Sequence, residues 1–171
     1  MQPDEMQRTS VPWNSDRQLE VLVFDLGGQS FALEAVLVRE ILDMMPETRV
    51  PGAPDLVGHV INFRGRIIPL ADLHLAFGMR VPETTKDSRI VVIEAELGGK
   101  PTILGLRTDK VHEVATFSAA HSEDAPVVGL RWRREHVCAL IRHGDDDIVV
   151  LPDLNAIFQS LACGDAGGSI H

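Results

Sequence analysis
Apolar residues fall in short runs, each stopped by Gly, Pro or Asp. Leu19 to Leu26 is apolar and β-branched enough to form a strand. Gly27-Gly28 follows and supplies the positive φ that a tight hairpin needs, and Ser30 to Leu33 returns. Val91, Ile93, Ala95 and Leu97 alternate with Val92, Glu94 and Glu96, which predicts a strand with one buried and one wetter face. Gly98-Gly99 turns that strand into Thr102 to Leu106. Further strands are predicted over Arg39 to Asp43 and Val111 to Thr116. Phe63-Arg64-Gly65-Arg66 reads as a hairpin tip between Val60-Ile61 and Ile67-Ile68. The segment from Arg142 to Asp146 reads as another tip, between Val137 to Ile141 and Ile148 to Leu151. Asp72 and Asp153 each precede a short helical turn, where a carboxylate can cap free N–H groups.

These elements repeat. Leu97 in Glu96-Leu97-Gly98-Gly99 lies 71 residues after Leu26 in Asp25-Leu26-Gly27-Gly28. Val111-His112-Glu113-Val114 lies 73 residues after Val38-Arg39-Glu40-Ile41, and the apolar strand ending in Asp153-Leu154 lies 81 after the one ending in Asp72-Leu73. The landmarks keep their order while the offset grows, as in a duplicated unit with longer loops in its second copy. Short strands with frequent turns, taken twice, predict an all-β fold of two small closed barrels, because closure removes exposed edges. Residues 1–17, with Pro3, Pro12 and a lone Trp13, read as a flexible tail, and residues 162–171 read the same way. The folded part is placed at 18–161, with halves at roughly 18–85 and 86–161.

Composition narrows the function. The 171 residues carry 16 basic and 25 acidic side chains, a net charge of −9. An acidic surface disfavours general nucleic-acid binding and attraction to anionic lipid. The 2 cysteines, Cys138 and Cys163, cannot build a disulfide framework or a four-thiolate zinc site, and suggest a reducing cytoplasm. No signal peptide is expected from the acidic start, and no apolar run is long enough to span a bilayer.

The run from Val50-Pro51-Gly52-Ala53-Pro54 through Asn62-Phe63-Arg64-Gly65 to Pro69-Leu70-Ala71-Asp72-Leu73 resembles the CheW family of chemotaxis coupling proteins. Val38-Arg39-Glu40-Ile41 matches that family's Val-x-Glu-Ile strand. Gly105 to Val114 matches its Gly-x-x-x-Asp-x-Val-x-x-Val pattern. The resemblance covers about Gln18 to Leu161. It implies two intertwined, SH3-like five-stranded barrels with short helices, halves that can exchange strands, and an apolar groove between them. It also implies a non-catalytic cytoplasmic adaptor, recruited to membrane receptor arrays through its partners. Those partners are the cytoplasmic tip of a methyl-accepting chemoreceptor and the homologous regulatory domain of the histidine kinase CheA. By match to the motif, Glu40 and Arg64 are the polar pair beside the groove, flanked by Val36, Val38, Asn62 and Gly65. One departure stands out. The family places Gly before its Val-x-Asn-x-Arg-Gly strand, and here that position is His59.

Other chemistry is thinly supported. The seven histidines show no metal-ligand spacing, and Asp145-Asp146-Asp147 lacks the ligand order of a calcium loop. Neither Gly-Gly pair opens a phosphate loop, and no nucleophile motif is present. No cofactor, metal or catalytic residue is expected. The alternative reading is a nucleic-acid or oligosaccharide-binding double barrel. It would use Arg131-Trp132-Arg133-Arg134, with His59 as part of that second patch, since a Trp among arginines can stack bases and grip phosphates.

Overall fold
The structure is a computed structural model that describes residues 11–124, 133–145 and 147–159. Twelve strands form two six-stranded sheets among these residues. The first half of the chain contributes β1 (Gln18–Leu26), β2 (Gln29–Glu34), β3 (Val38–Asp43), β4 (Thr48–Arg49), β5 (His59–Phe63) and β6 (Arg66–Ala71). The second contributes β7 (Arg89–Leu97), β8 (Lys100–Thr108), β9 (Lys110–Ser118), β10 (Ser122–Glu123), β11 (Val137–His143) and β12 (Asp147–Pro152). A short helix, Leu73–Ala76, follows β6, and another spans 154–159 after β12. Each sheet has five long strands, as the resemblance implies, plus a two-residue edge strand, β4 or β10.

The first sheet runs β10-β11-β12-β2-β1-β9 and the second β3-β7-β8-β6-β5-β4. Each copy's leading hairpin is therefore built into the sheet that holds the other copy's remaining strands. Hairpin β1–β2 is gripped by β9 on one side and, in parallel, by β12 on the other, with Val149 opposite Ser30. Hairpin β7–β8 is gripped by β3 and, in parallel, by β6, with Leu70 opposite Gly105. Both hairpins turn on paired left-handed glycines, Gly27-Gly28 and Gly98-Gly99.

Three apolar clusters follow from this exchange. One lines the inside of the first sheet with Leu19, Val21, Ile141, Val149 and Leu151. Another lines the inside of the second with Ile90, Val92, Ile61, Ile68 and Leu70. The ladders match them across the repeat: Val21 with Ile90, Ile141 with Ile61, Val149 with Ile68 and Leu151 with Leu70. The largest cluster lies between the sheets and draws Phe24, Phe31 and Leu33 from one and Val91, Ile93 and Leu106 from the other. Phe31 is fully buried there, its ring 4.8 Å from that of Phe77 and 6.1 Å from that of Phe24. This explains why Val92, predicted on the wetter face of its strand, is fully buried. β7 packs one face on the central cluster and the other inside its own sheet.

Part of the expected tail is anchored. Val11 and Trp13 pack on the cluster inside the first sheet. The Arg17 carbonyl accepts a hydrogen bond from the Ala119 N–H. The apolar ring of Trp13 is what the reading of residues 11–17 as a polar tail undervalued.

The copies also brace their Gly-Gly turns at matched places by different chemistry. Gly98 N–H donates to Asn155 Oδ1 at 3.0 Å. Gly27 N–H donates to Asp109 at 2.6 Å, and Asp109 is held by His74 Nε2 at 2.9 Å. His74 and Asn155 are 81 residues apart, the same repeat position.

Because the central cluster belongs to both sheets, Phe31→Ala is expected to cost about 3–5 kcal/mol and to leave a single unfolding transition. Urea unfolding followed by circular dichroism and by amide exchange in each sheet checks this. Two separated transitions would show independent barrels.

Candidate functional site
β3 is an edge strand of the second sheet and, among the described residues, pairs with β7 alone. Its side chains alternate between half-buried and exposed, which leaves Glu40 half-buried beside exposed Ile41. The β5–β6 hairpin brings Arg64 to the same place. Its two loop residues, Arg64 (φ 52°) and Gly65 (φ 82°), are both left-handed. That is the two-residue turn whose twist suits a hairpin, usually filled by Asn-Gly. An arginine there is strained by about 1 kcal/mol or more. Asn62 steadies the turn by accepting the Gly65 N–H at 2.9 Å.

The Arg64 guanidinium donates to Glu40 and lies over the Phe63 ring, 5.5 Å from its centre. Arg64 remains 71% exposed at the side chain against 31% for Glu40. One carboxylate occupies part of the planar fork, and the remaining donors face solvent. The contact joins edge strand β3 to a hairpin tip at the far side of the same sheet.

The other expected residues divide. Val36 sits in the turn before β3 and is 78% exposed, a large apolar side chain with no packing role. Val38 instead packs against the central cluster. His59 opens β5, with Nε2 3.7 Å from Glu47 and a buried Nδ1 that has no hydrogen-bond partner among the described residues. It lines a cavity with Glu47, Arg49, Asp72 and Arg107 that includes neither Arg133 nor Arg134. Arg133 pairs with Glu135 at 3.8 Å, and Arg131 and Trp132 lie outside the described residues.

Sequence reading missed the network beneath His59. Arg107 is buried on β8, bonded to Asp72 and, at 2.7 Å, to Glu47. Burial alone would lower its pKa, but the hydrogen bonds and charges of Glu47 and Asp72 outweigh that and hold it above the ordinary value. Asp72, expected to cap its helical turn, makes no cap bond and is spent on Arg107. Asp153 does cap, accepting the Ala156 N–H at 3.0 Å. The available signal was an arginine at the end of the otherwise apolar run Ile103-Leu104-Gly105-Leu106.

Among the described residues no group of His, Cys, Asp or Glu is arranged to hold a metal, and no helix is long and apolar enough to cross a membrane.

The CheW-like domain family matches residues 20–162. The chain belongs to the CheW-like family. A chemotaxis protein CheW of Rhizobium meliloti (strain 1021) is 30% identical over 141 residues, covering 82% of this chain and 88% of that protein. A chemotaxis protein CheW of Treponema pallidum (strain Nichols) is 28% identical over 152 residues, 85% of each chain. The crystal structure of the scaffolding protein TtCheW from Thermoanaerobacter tengcongensis superposes with a TM-score of 0.71 at 30% identity, covering 82% of this chain and 87% of that one. This CheW-like chain thus has the double-barrel fold of its relatives. The nucleic-acid reading gains nothing from any of them.

Two outcomes are expected. Arg64→Asn keeps a favoured turn and relieves the left-handed strain, so its melting temperature should equal or exceed that of the native chain. A loss above about 1 kcal/mol would make Arg64 a structural residue. Arg107→Ala should cost roughly 3–5 kcal/mol, because it strands buried Asp72 without its cation. Chemical denaturation of both variants checks these values.

Proposed function
We propose that this chain is a chemotaxis coupling scaffold that bridges the cytoplasmic tip of a transmembrane chemoreceptor to a CheA-type histidine kinase. It does so without catalysis and in the cytoplasm. Membership of the CheW-like family supports the reading, as do relatives named as chemotaxis and scaffolding proteins. The observation that carries it is the Glu40–Arg64 pair. An arginine is kept in a strained backbone conformation, its guanidinium oriented by Glu40 and Phe63 and its free donors turned outward. Strain retained at an exposed tip is a mark of function rather than stability. Val36 places apolar surface on the approach to β3, and a partner that covers it gains buried area. Glu40, Arg64, Asn62 and Gly65 form the polar end of this surface and Val36 its apolar side, with Val38 beneath it against the central cluster.

The mechanism is linkage. A scaffold that binds receptor and kinase together lets any difference in affinity between two receptor states bias the kinase by the same free energy. Nothing in this requires a reacting group.

The test is a double-mutant cycle on receptor-tip affinity with Glu40→Ala, Arg64→Ala and the double variant. The two residues should be non-additive by about 0.5–3 kcal/mol, with melting temperatures nearly unchanged. Val36→Ala should weaken binding in a way that salt leaves unaltered, since area rather than charge is lost. Additive losses at Glu40 and Arg64, or no effect on the receptor tip, would remove the pair from the site.

A further inference from the structure
The second sheet takes β3 to β8 in one continuous stretch, so the chain passes between the sheets at two joints. β2 leads to β3 through the turn Ala35–Leu37, and β8 leads to β9 through Asp109. Val36 and Asp109 are 73 residues apart and hold the same place in the repeat. The two joints are secured very differently. Asp109 is held at three points. Its N–H donates to the Asp25 carbonyl at 3.0 Å, and its carboxylate accepts the Gly27 N–H and faces His74 Nε2. The turn Ala35–Leu37 has no side-chain cap and no buried residue, and is closed by the Val38 N–H on the Ala35 carbonyl. Val36 at its centre is 78% exposed, and Val38 beyond it is already extended.

The loose joint divides the chain at a telling place. Hairpin β1–β2 lies on one side of it, with Val11 and Trp13 packed in the same sheet. The strands that grip the hairpin, β9 and β12, lie far along the chain on the other side. Among the described residues the hairpin shares no ladder with β3 to β8, the strands that follow the turn directly. Those ladders are satisfied equally well by a hairpin from the same molecule or from a second one.

We propose that two molecules of this chain exchange residues 11–34, the β1–β2 hairpin of each completing the first sheet of the other. The partner is a second copy because the complementary surface is the one the chain already uses on itself. Phe24 and Phe31 enter the same central cluster, and Gly27 meets the same Asp109, now of the other molecule. The turn alone changes, from bent to extended, with loss of the single backbone hydrogen bond that closes it. What opposes exchange is the proximity of the chain's own hairpin, equivalent to a concentration in the millimolar range. Exchange therefore belongs to chains that fold while crowded. The pinned joint at Asp109 makes the corresponding exchange of β7–β8 the harder one. On the adaptor reading, and resting on it, the product carries two Glu40–Arg64 surfaces on one body and can engage two receptor tips.

The test uses the full chain with both native cysteines replaced by serine. One variant carries Glu20→Cys and another Thr116→Cys, at exposed positions that face each other across β1 and β9. The two are mixed in urea, refolded together at about 1 mM or at about 10 µM, and oxidised, with mass followed by light scattering. A dimer joined by a disulfide between the two variants is expected, at least tenfold more abundant at the higher concentration. Variants refolded apart and then mixed should give at most a tenth of that cross-link. No dimer after refolding at the higher concentration overturns the proposal. A dimer without the cross-link means that the molecules meet through their surfaces, and overturns it too, as does equal cross-linking of variants folded apart. Deleting Ala35 and Val36 should give a dimer even at the lower concentration, because the shortened turn cannot fold back. A folded monomer of that variant removes the turn as the hinge, and if the variant does not fold the cross-link alone decides. None of these measurements needs a receptor. The Glu40–Arg64 cycle can therefore fail while exchange occurs, and exchange can fail while the cycle holds.

Discussion

Hairpins β1–β2 and β7–β8 are each hydrogen-bonded on both sides to strands that lie mainly in the other copy, and the rest of the molecule follows from that exchange. A duplicated barrel that kept its own hairpin would be joined to its twin by a linker and a surface contact. Here the crossing strands carry their apolar outer faces to the same place and make the central cluster around Phe24, Phe31 and Phe77. Small barrels of this size hold little apolar area each, and a shared cluster lets both stand on one core. The relative position of the two sheets is fixed by the chain that crosses between them and by the cluster they share.

Such a frame suits a scaffold. A bridge transmits bias between two partners only if its own ends do not move independently. Exposed polar chemistry is then concentrated at the ends of elements, as at the Arg64 tip, while the interior remains almost wholly apolar. The main exception is Arg107, whose buried charge is matched by Asp72 and Glu47.

The strands, the Gly-Gly turns and the duplication were legible because each has a local or periodic signature. Leu26 with Leu97, Val38 with Val111, and Asp72 with Asp153 could be matched by counting along the chain. The Glu40–Arg64 pair was found through family resemblance and is a contact in the structure. Other features were hidden for physical reasons. Period-two alternation reports which face a strand hides, not how many layers cover it, so Val92 was assigned to water. Asp72 and Asp153 share one sequence motif, and Arg107, across the sheet from Asp72, turns that carboxylate from capping to pairing. That partner is a matter of register between distant strands, which no short window contains. Trp13 was misjudged because one aromatic ring outweighs a polar neighbourhood.

The parallel pairing of β2 with β12 also sets a schedule. Ser30 and Val149 must meet before the first sheet is complete, although 119 residues of chain separate them. On a ribosome moving at about 5–20 residues per second, the first hairpin waits roughly 6–24 s for its last neighbour. During that interval the edge of β2 is unpaired and its apolar faces are uncovered. Its Gly-Gly turn and alternating pattern let it form alone, but its stability comes late. The same connection that makes the finished scaffold rigid makes the nascent one dependent on chaperones or on speed.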